Sequence, residues 1–459
     1  MKNTKIYCST YKNKLMNFLF LGMLFLTACS KKQNNAHEKP NIIFILVDDL
    51  GYGDLSCLGA NDLITPNIDN ISKNGITFNS FYANCPVCSP SRASLLTGKY
   101  PDNVGVPGVI RQEEKDSWGY LNENTTTLPQ ILNELDYHTA MIGKWHLGYE
   151  KPNIPNYRGF QHFKGFLGDM MDDYWTHLRG GVNWMRDNMD EIDPRGHATD
   201  VFTNWAIEYI KTREKEENPF FLYLAYNAPH FPIQPPDDWL SKVKQREKNI
   251  TEKRAKNIAL IEHLDFCIGK LLQTLKETRL DENTLVIFTS DNGGALRYAQ
   301  SNGELRGDKQ EMFEGGIRVP MFAMWNGKIV PGTVTNNLGM LMDMFPTICE
   351  IAGKDSLNTI DGISLLPTLF GKNQTTDDRY LFWVRREGWH YGGQAYYAAR
   401  YKNYKILQNS AYEPFQFFNI HEDEFEKYPL DIADDENYKN LRNALKEHIR
   451  LSGKVAWQK

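Results

Sequence analysis

An α/β fold, a mostly parallel sheet covered by helices on both faces, is predicted by three features of this 459-residue sequence. Four apolar runs of strand length each end in polar residues, helical stretches separate them, and the pattern changes to short aromatic strands after about residue 370.

The first run, Asn41 to Val47, is apolar at every alternating position, as a central strand buried on both faces should be, and Asp48 and Asp49 follow at once. The second, His138 to Ile142, runs into Gly143-Lys144-Trp145-His146, and the third, Phe220 to Ala225, into Asn227-Ala228-Pro229-His230. The fourth, Leu285 to Thr289, ends in Ser290-Asp291-Asn292-Gly293. Ligands of open α/β sheets bind beyond the carboxyl ends of the strands, so these four ends are expected to converge on one site. Thr127 to Leu135 and Ile258 to Leu275 carry apolar residues at three- and four-residue spacing and are predicted helices. Beyond residue 370, Tyr380 to Val384, Ala395 to Arg400 and Tyr404 to Leu407 read as strands and Asn437 to Leu451 as a charged helix, a small carboxy-terminal α+β unit with an antiparallel sheet.

The amino terminus differs from the rest. Lys12 and Lys14 precede an apolar run from Phe18 to Leu26, closed by Leu26-Thr27-Ala28-Cys29. The run is too short to span a bilayer and reads as a signal peptide. The small residues before Cys29 resemble a bacterial lipobox, which implies cleavage there and a lipid on the Cys29 thiol. Residues 30 to 38 are polar and read as a flexible tether. The expected organisation is therefore signal peptide 1–28, tether 29–39, catalytic domain 40–370 and carboxy-terminal subdomain 371–459. It implies an exported protein held by lipid in the periplasm or at the outer membrane.

Composition excludes some classes. A net charge of -5, with 24% charged residues, lacks the basic excess that nucleic-acid binding requires, so no nucleic-acid partner is expected. Of seven cysteines, five remain after the signal and Cys29 are set aside, too few for a disulfide framework in a chain this long. Cys85 and Cys88 form a Cys-x-x-Cys pair, which alone would suggest a local disulfide or redox pair.

The residues after Cys88 argue otherwise. Cys88-Ser89-Pro90-Ser91-Arg92, continued to Leu96-Thr97-Gly98, resembles the signature of the type I sulfatases, and the likeness extends from Pro40 to about Leu430. That family has an alkaline-phosphatase-like fold. The resemblance implies that a maturation enzyme oxidises Cys88 to formylglycine. Its hydrate attacks sulfur through one hydroxyl and displaces the alcohol, leaving a covalent sulfo-enzyme, and loss of the second hydroxyl's proton then expels sulfate and restores the aldehyde. It also implies a metal held by Asp48, Asp49, Asp291 and Asn292 together with the residue at 88. An all-oxygen set suits a hard cation, calcium by resemblance, with magnesium possible by ligand type. Arg92, Lys144, His146, His230 and Lys309 are the remaining catalytic residues that the resemblance implies, since sulfate transfer needs fixed cations and proton carriers around the ester.

Substrate contacts are expected from Asp172, Asp173, Trp175, His177 and Arg179, and from Arg385, Arg386, Trp389 and His390 after the strand at 380–384. Aromatic and Arg side chains suit an anionic sugar, and an exported lipoprotein sulfatase would act on sulfated carbohydrate. Two other readings remain open at this point: a phosphatase or phosphodiesterase of the related fold, and a sugar-binding lipoprotein without activity.

Overall fold

A computed structural model describes residues 39–354, 357, 359–387 and 394–458. Signal peptide, Cys29 and tether up to residue 38 lie outside the described residues, as do Trp389 and His390. Residues Lys39–Lys459 form one compact unit, which includes the carboxy-terminal strands.

Ten strands make the main sheet. Its centre is five parallel strands in the spatial order Thr284–Ser290, Asn41–Val47, Phe220–Ala225, His138–Lys144 and His162–Phe166. The four runs read from the sequence are all in this central set. The fifth, His162–Phe166, buries Phe163, Gly165 and Phe166 but carries half-buried His162 and Lys164, so its apolar signal is weak. Antiparallel strands flank the centre: Met321–Trp325 pairs with Thr284–Ser290, and Met185–Asp187 with His162–Phe166.

Side-chain alternation along Asn41–Val47 explains the layering. Ile42, Phe44 and Leu46 enter one buried cluster, whereas Ile43, Ile45 and Val47 enter the other, so each sheet face has its own core. Helix Glu252–Glu277 covers one face with Ile258, Ile261, Leu264, Ile268 and Leu271. On the other face, helix Leu128–Glu134 starts at a capping box in which Gln130 accepts from the Thr127 backbone.

Four antiparallel strands form the second sheet, Tyr380–Arg386, Ala395–Tyr401, Tyr404–Gln408 and Gln416–Asn419, with helix Glu436–Ser452 packed on it through Leu441 and Leu445. Its connection to the main body is ionic as well as apolar. Buried Lys405 donates to Glu314 at 2.8 Å and lies 2.8 Å from Glu426, so three charges meet away from water.

Candidate active site

Helix Cys88–Thr97 is buried along its whole length and begins at the cysteine, directly over the carboxyl ends of the central strands. Signature residues fasten it. Ser91 Oγ donates to the Cys85 carbonyl (2.8 Å), and Ser89 Oγ accepts from the Ile110 amide (3.1 Å). Arg92 donates to Asp291 through two nitrogens (3.0 and 2.7 Å) and to the Lys144 carbonyl (3.0 Å), so one guanidinium ties three motifs together. Pro at the third helical position costs no intrahelical bond, and the free amides of this first turn favour an anion beside Cys88.

Strand ends supply the other groups. Asp48 follows Asn41–Val47 and accepts from Lys144 Nζ; its other oxygen is 3.3 Å from Cys88 Sγ. Asp49 adopts a left-handed backbone (φ 66°), which turns its carboxylate to Lys309 Nζ (2.6 Å) and Asn292 Nδ2 (2.8 Å). Lys309 Nζ is also 3.6 Å from Cys88 Sγ. It reaches there because its own amide donates to Gly294 and that of Gln310 to Pro86. Gly293 permits this approach of loops, since a Cβ there would stand 1.8 Å from the Gly315 carbonyl oxygen.

Both histidines border the same cavity of about 340 Å³, which Cys88, Asp49 and Lys309 also line. His146 Nε2 lies 3.0 Å from the Ile110 carbonyl, so that nitrogen carries the proton, and buried Nδ1 has no hydrogen-bond partner among the described residues. His230 is the reverse: Nδ1 donates to the Phe231 carbonyl, and Nε2 is 3.5 Å from Asp49.

Electrostatics sort these groups. Burial would raise the Asp48 carboxyl, but Lys144, His230, Arg92 and Lys309 hold it well below the usual range. Burial and neighbouring Asp48 push Asp291 upward despite Arg92. Burial, with Asp48, raises the Cys88 thiol far above its ordinary value, the opposite of a reactive thiolate. Burial lowers His146 strongly, helped by Lys144 and Arg92, and lowers His230 against the pull of Asp49.

Asp48, Asp49, Cys88 and His230 bring donor atoms within 4.8 Å of one another. Asn292 Oδ1 is buried with no partner among the described residues, next to three carboxylates of which one is driven toward protonation. An orphaned acceptor and crowded negative charge both fit a bound hard cation. Asp291 joins this group through Arg92 and the Asp49 amide (3.3 Å) rather than by facing Cys88 directly.

Residues 40–354 match the Sulfatase family, and residues 304–454 match the family described as N-sulphoglucosamine sulphohydrolase, C-terminal. The chain belongs to the sulfatase family. It is 35% identical to N-acetylgalactosamine-6-sulfatase of Canis lupus familiaris over 385 residues, 79% of this chain and 72% of the relative. Human (Homo sapiens) arylsulfatase A is 32% identical over 401 residues, 81% of this chain and 76% of the relative. Among solved structures, Ps i-CgsB in complex with k-i-k-neocarrahexaose superposes with a TM-score of 0.83 at 30% identity, covering 92% of this chain and 95% of that one. The protein is thus a sulfuric ester hydrolase, from a family that works with formylglycine and a divalent metal.

Residues expected to contact substrate divide in the sulfatase. Arg179 and Arg385 line the cavity. Arg179 is held by Asp169 and Asp172 (2.8 Å each), and Arg385 donates to the Gln310 carbonyl (2.8 Å). Asp172 therefore acts behind Arg179. His177 is buried and bonded to the Gly196 carbonyl (3.0 Å), and Asp173 caps its own turn by accepting from the Trp175 and Thr176 amides. Neither lines the cavity, nor do Trp175 and Arg386. The sequence signal was composition alone, and local turn bonding absorbs such residues. Arg111, Glu387, Arg297 and Tyr298 line the cavity without having been singled out, because no strand end or motif marks them.

Proposed function

We propose that this sulfatase is an exported, lipid-anchored enzyme that releases sulfate from sulfated carbohydrate, using formylglycine made from Cys88 and one bound calcium. The observation that carries this reading is the placing of Cys88: a buried thiol at a helix amino terminus, with Asp48 and Lys309 beside it and His146 and His230 lining the same cavity. A thiol so raised is unsuited to nucleophilic work, whereas an aldehyde hydrate at that position would have every proton carrier at hand.

Asp48, Asp49, Asp291 and Asn292 would hold the cation beside residue 88. When bound, it polarises a sulfate oxygen and favours the ionised nucleophile. Lys144 and Arg92 offset Asp48 and Asp291, and Lys309 adds positive charge next to the reacting atom. His230 keeps Nδ1–H on the Phe231 carbonyl and, as the imidazolium supported by Asp49, gives its Nε2 proton to the leaving alcohol. His146, with Nε2 committed to Ile110, offers bare Nδ1 to take the hydroxyl proton whose loss releases sulfate.

Carbohydrate as substrate is supported by the names of the relatives and by the hexaose bound to Ps i-CgsB. The cavity supports it too. Arg111 also lines a second cleft of about 940 Å³ with Tyr149, Lys151, Trp184 and Trp457, enough room for further sugar units. The phosphatase reading loses ground to these relatives, and the inactive-lipoprotein reading to the complete set of proton carriers.

Mass spectrometry of the peptide containing Cys88, from a host with a sulfatase-maturation enzyme, tests the proposal. Conversion lowers the mass by about 18 daltons on this oxidation chemistry. An unmodified thiol in an active preparation would refute the nucleophile.

A further inference from the structure

Beside His230 the cavity wall is aromatic. Phe231, the next residue, is 39% exposed although it is large and apolar. Its ring stacks on Tyr298 with centroids 4.4 Å apart and planes at 18°. The Arg297 guanidinium lies 5.3 Å from the Tyr298 centroid. The two loops that carry these rings are fixed to each other by buried Gln300, whose amide donates to the Pro229 carbonyl at 3.0 Å. The Leu296 amide is held by Asp308 (2.8 Å). The platform is therefore built into the fold rather than left to a free loop.

Charge separates Arg297 from the other arginines of the cavity. Arg179 is neutralised by Asp169 and Asp172, Arg111 lies 3.0 Å from Glu387, and Arg385 lies 3.6 Å from the same carboxylate. Arg297 has no carboxylate within salt-bridge distance among the described residues, and it is exposed at the cavity wall. Phe231 lines the same cavity as His230, so its exposed ring is within reach of a sugar bound at His230. Aromatic faces pack against the C–H faces of sugar rings, and a planar guanidinium recognises a planar or tetrahedral oxyanion with paired donors.

We propose that Phe231, Tyr298 and Arg297 form a subsite for the leaving sugar that selects substrates bearing a second anionic group, a carboxylate or a further sulfate, near the scissile ester. This rests on the reading of His230 as the group that faces the leaving oxygen. The subsite adds a specificity determinant outside the signature motifs.

Matured, calcium-loaded full-length enzyme tests it with matched saccharides: a monosulfated hexose, its disulfated form, and a sulfated disaccharide containing a uronate. Parent enzyme should prefer a doubly anionic partner in kcat/KM by about tenfold, the scale of one partly exposed charge-assisted contact. Arg297→Gln should bring that ratio close to one through KM rather than kcat, and Arg297→Lys should retain part of it. Raising ionic strength should shrink the preference in the parent and leave the Gln variant's ratio flat. Whether disulfate or uronate gives the larger ratio identifies the anion. Equal ratios in parent and Arg297→Gln, or no preference in the parent, would overturn the subsite. Failure of the wider reading looks different, as loss of sulfate release from every substrate including p-nitrophenyl sulfate. In that event, binding of the same saccharides to Cys88→Ala protein by calorimetry still reads the Arg297 ratio.

Discussion

His146 and His230 differ in which ring nitrogen the backbone occupies, and on the proposed mechanism that difference divides their work. His230 keeps Nε2 for the cavity, whereas His146 keeps Nδ1. Replacing His230 with Ala should slow an alkyl sugar sulfate about 100-fold or more, the usual size of general-acid help, while p-nitrophenyl sulfate slows far less. Parallel kcat measurements on the two substrates check this, and equal losses would remove His230 from the leaving-group role. Asn292 presents an unpartnered buried oxygen beside the carboxylates. Asn292→Ala should weaken calcium binding by about tenfold or more, read by titration calorimetry, since one ligand of a rigid oxygen set is lost. These residues were legible in the sequence because each lies within a few residues of a strand's carboxyl end and in a block that resembles the sulfatases. His177 and Asp173 carried the same chemical types yet serve local turns, as nothing in composition reveals a hydrogen bond to Gly196.

At the scale of elements, the join between the two sheets is the informative feature. Lys405 sits on strand Tyr404–Gln408 and reaches Glu314 in the helix Glu314–Ile317 and Glu426 in a carboxy-terminal loop. Removing it takes the cation from buried Glu426 and one of the cations from Glu314, which keeps Arg318 at 3.9 Å. Lys405→Met should destabilise the protein by about 3–5 kcal/mol, seen as a lower midpoint in chemical denaturation. Glu314 opens the block that runs on to Arg318 and Pro320, so this ion group also fixes the loops around Lys309. The sequence alone does not pair Lys405 with Glu314, since 91 residues separate them.

For the molecule as a whole, acid should be destabilising through groups far from the metal ligands. His197 is buried, with Nε2 donating to the Gln234 carbonyl and Nδ1 accepting from the Thr199 amide. Burial, reinforced by His263, lowers its pKa to about 4, below the value of about 6.5 for an exposed histidine. The unfolded chain therefore binds the proton first as pH falls. Stability from neutral His197 is present above about pH 6.5 and is lost as the pH drops toward 4, on the order of 3 kcal/mol in all. Thermal midpoints across that window should decline, and His197→Gln should flatten the decline. The proposed lipid anchor belongs to this scale as well. Cys29→Ser in the expressed precursor should move the enzyme from the membrane fraction to the soluble one, measured by detergent phase partitioning. Retention in the membrane fraction would refute lipidation at Cys29.

Read alone, the chain determined the α/β class and the four central strands with their polar ends, because each is a local pattern whose period has one physical cause, and it marked the segment at Cys88 by its resemblance to the sulfatases. Tertiary structure decided what lies between those patterns. It placed the fifth parallel strand, whose polar His162 and Lys164 blur the apolar signal, and the antiparallel edge strands, which are too short to show a period. It also decided which arginines line the cavity and which carboxylates hold them, since ion pairing such as Arg111 with Glu387 joins residues 276 apart and depends on distance in space, not along the chain.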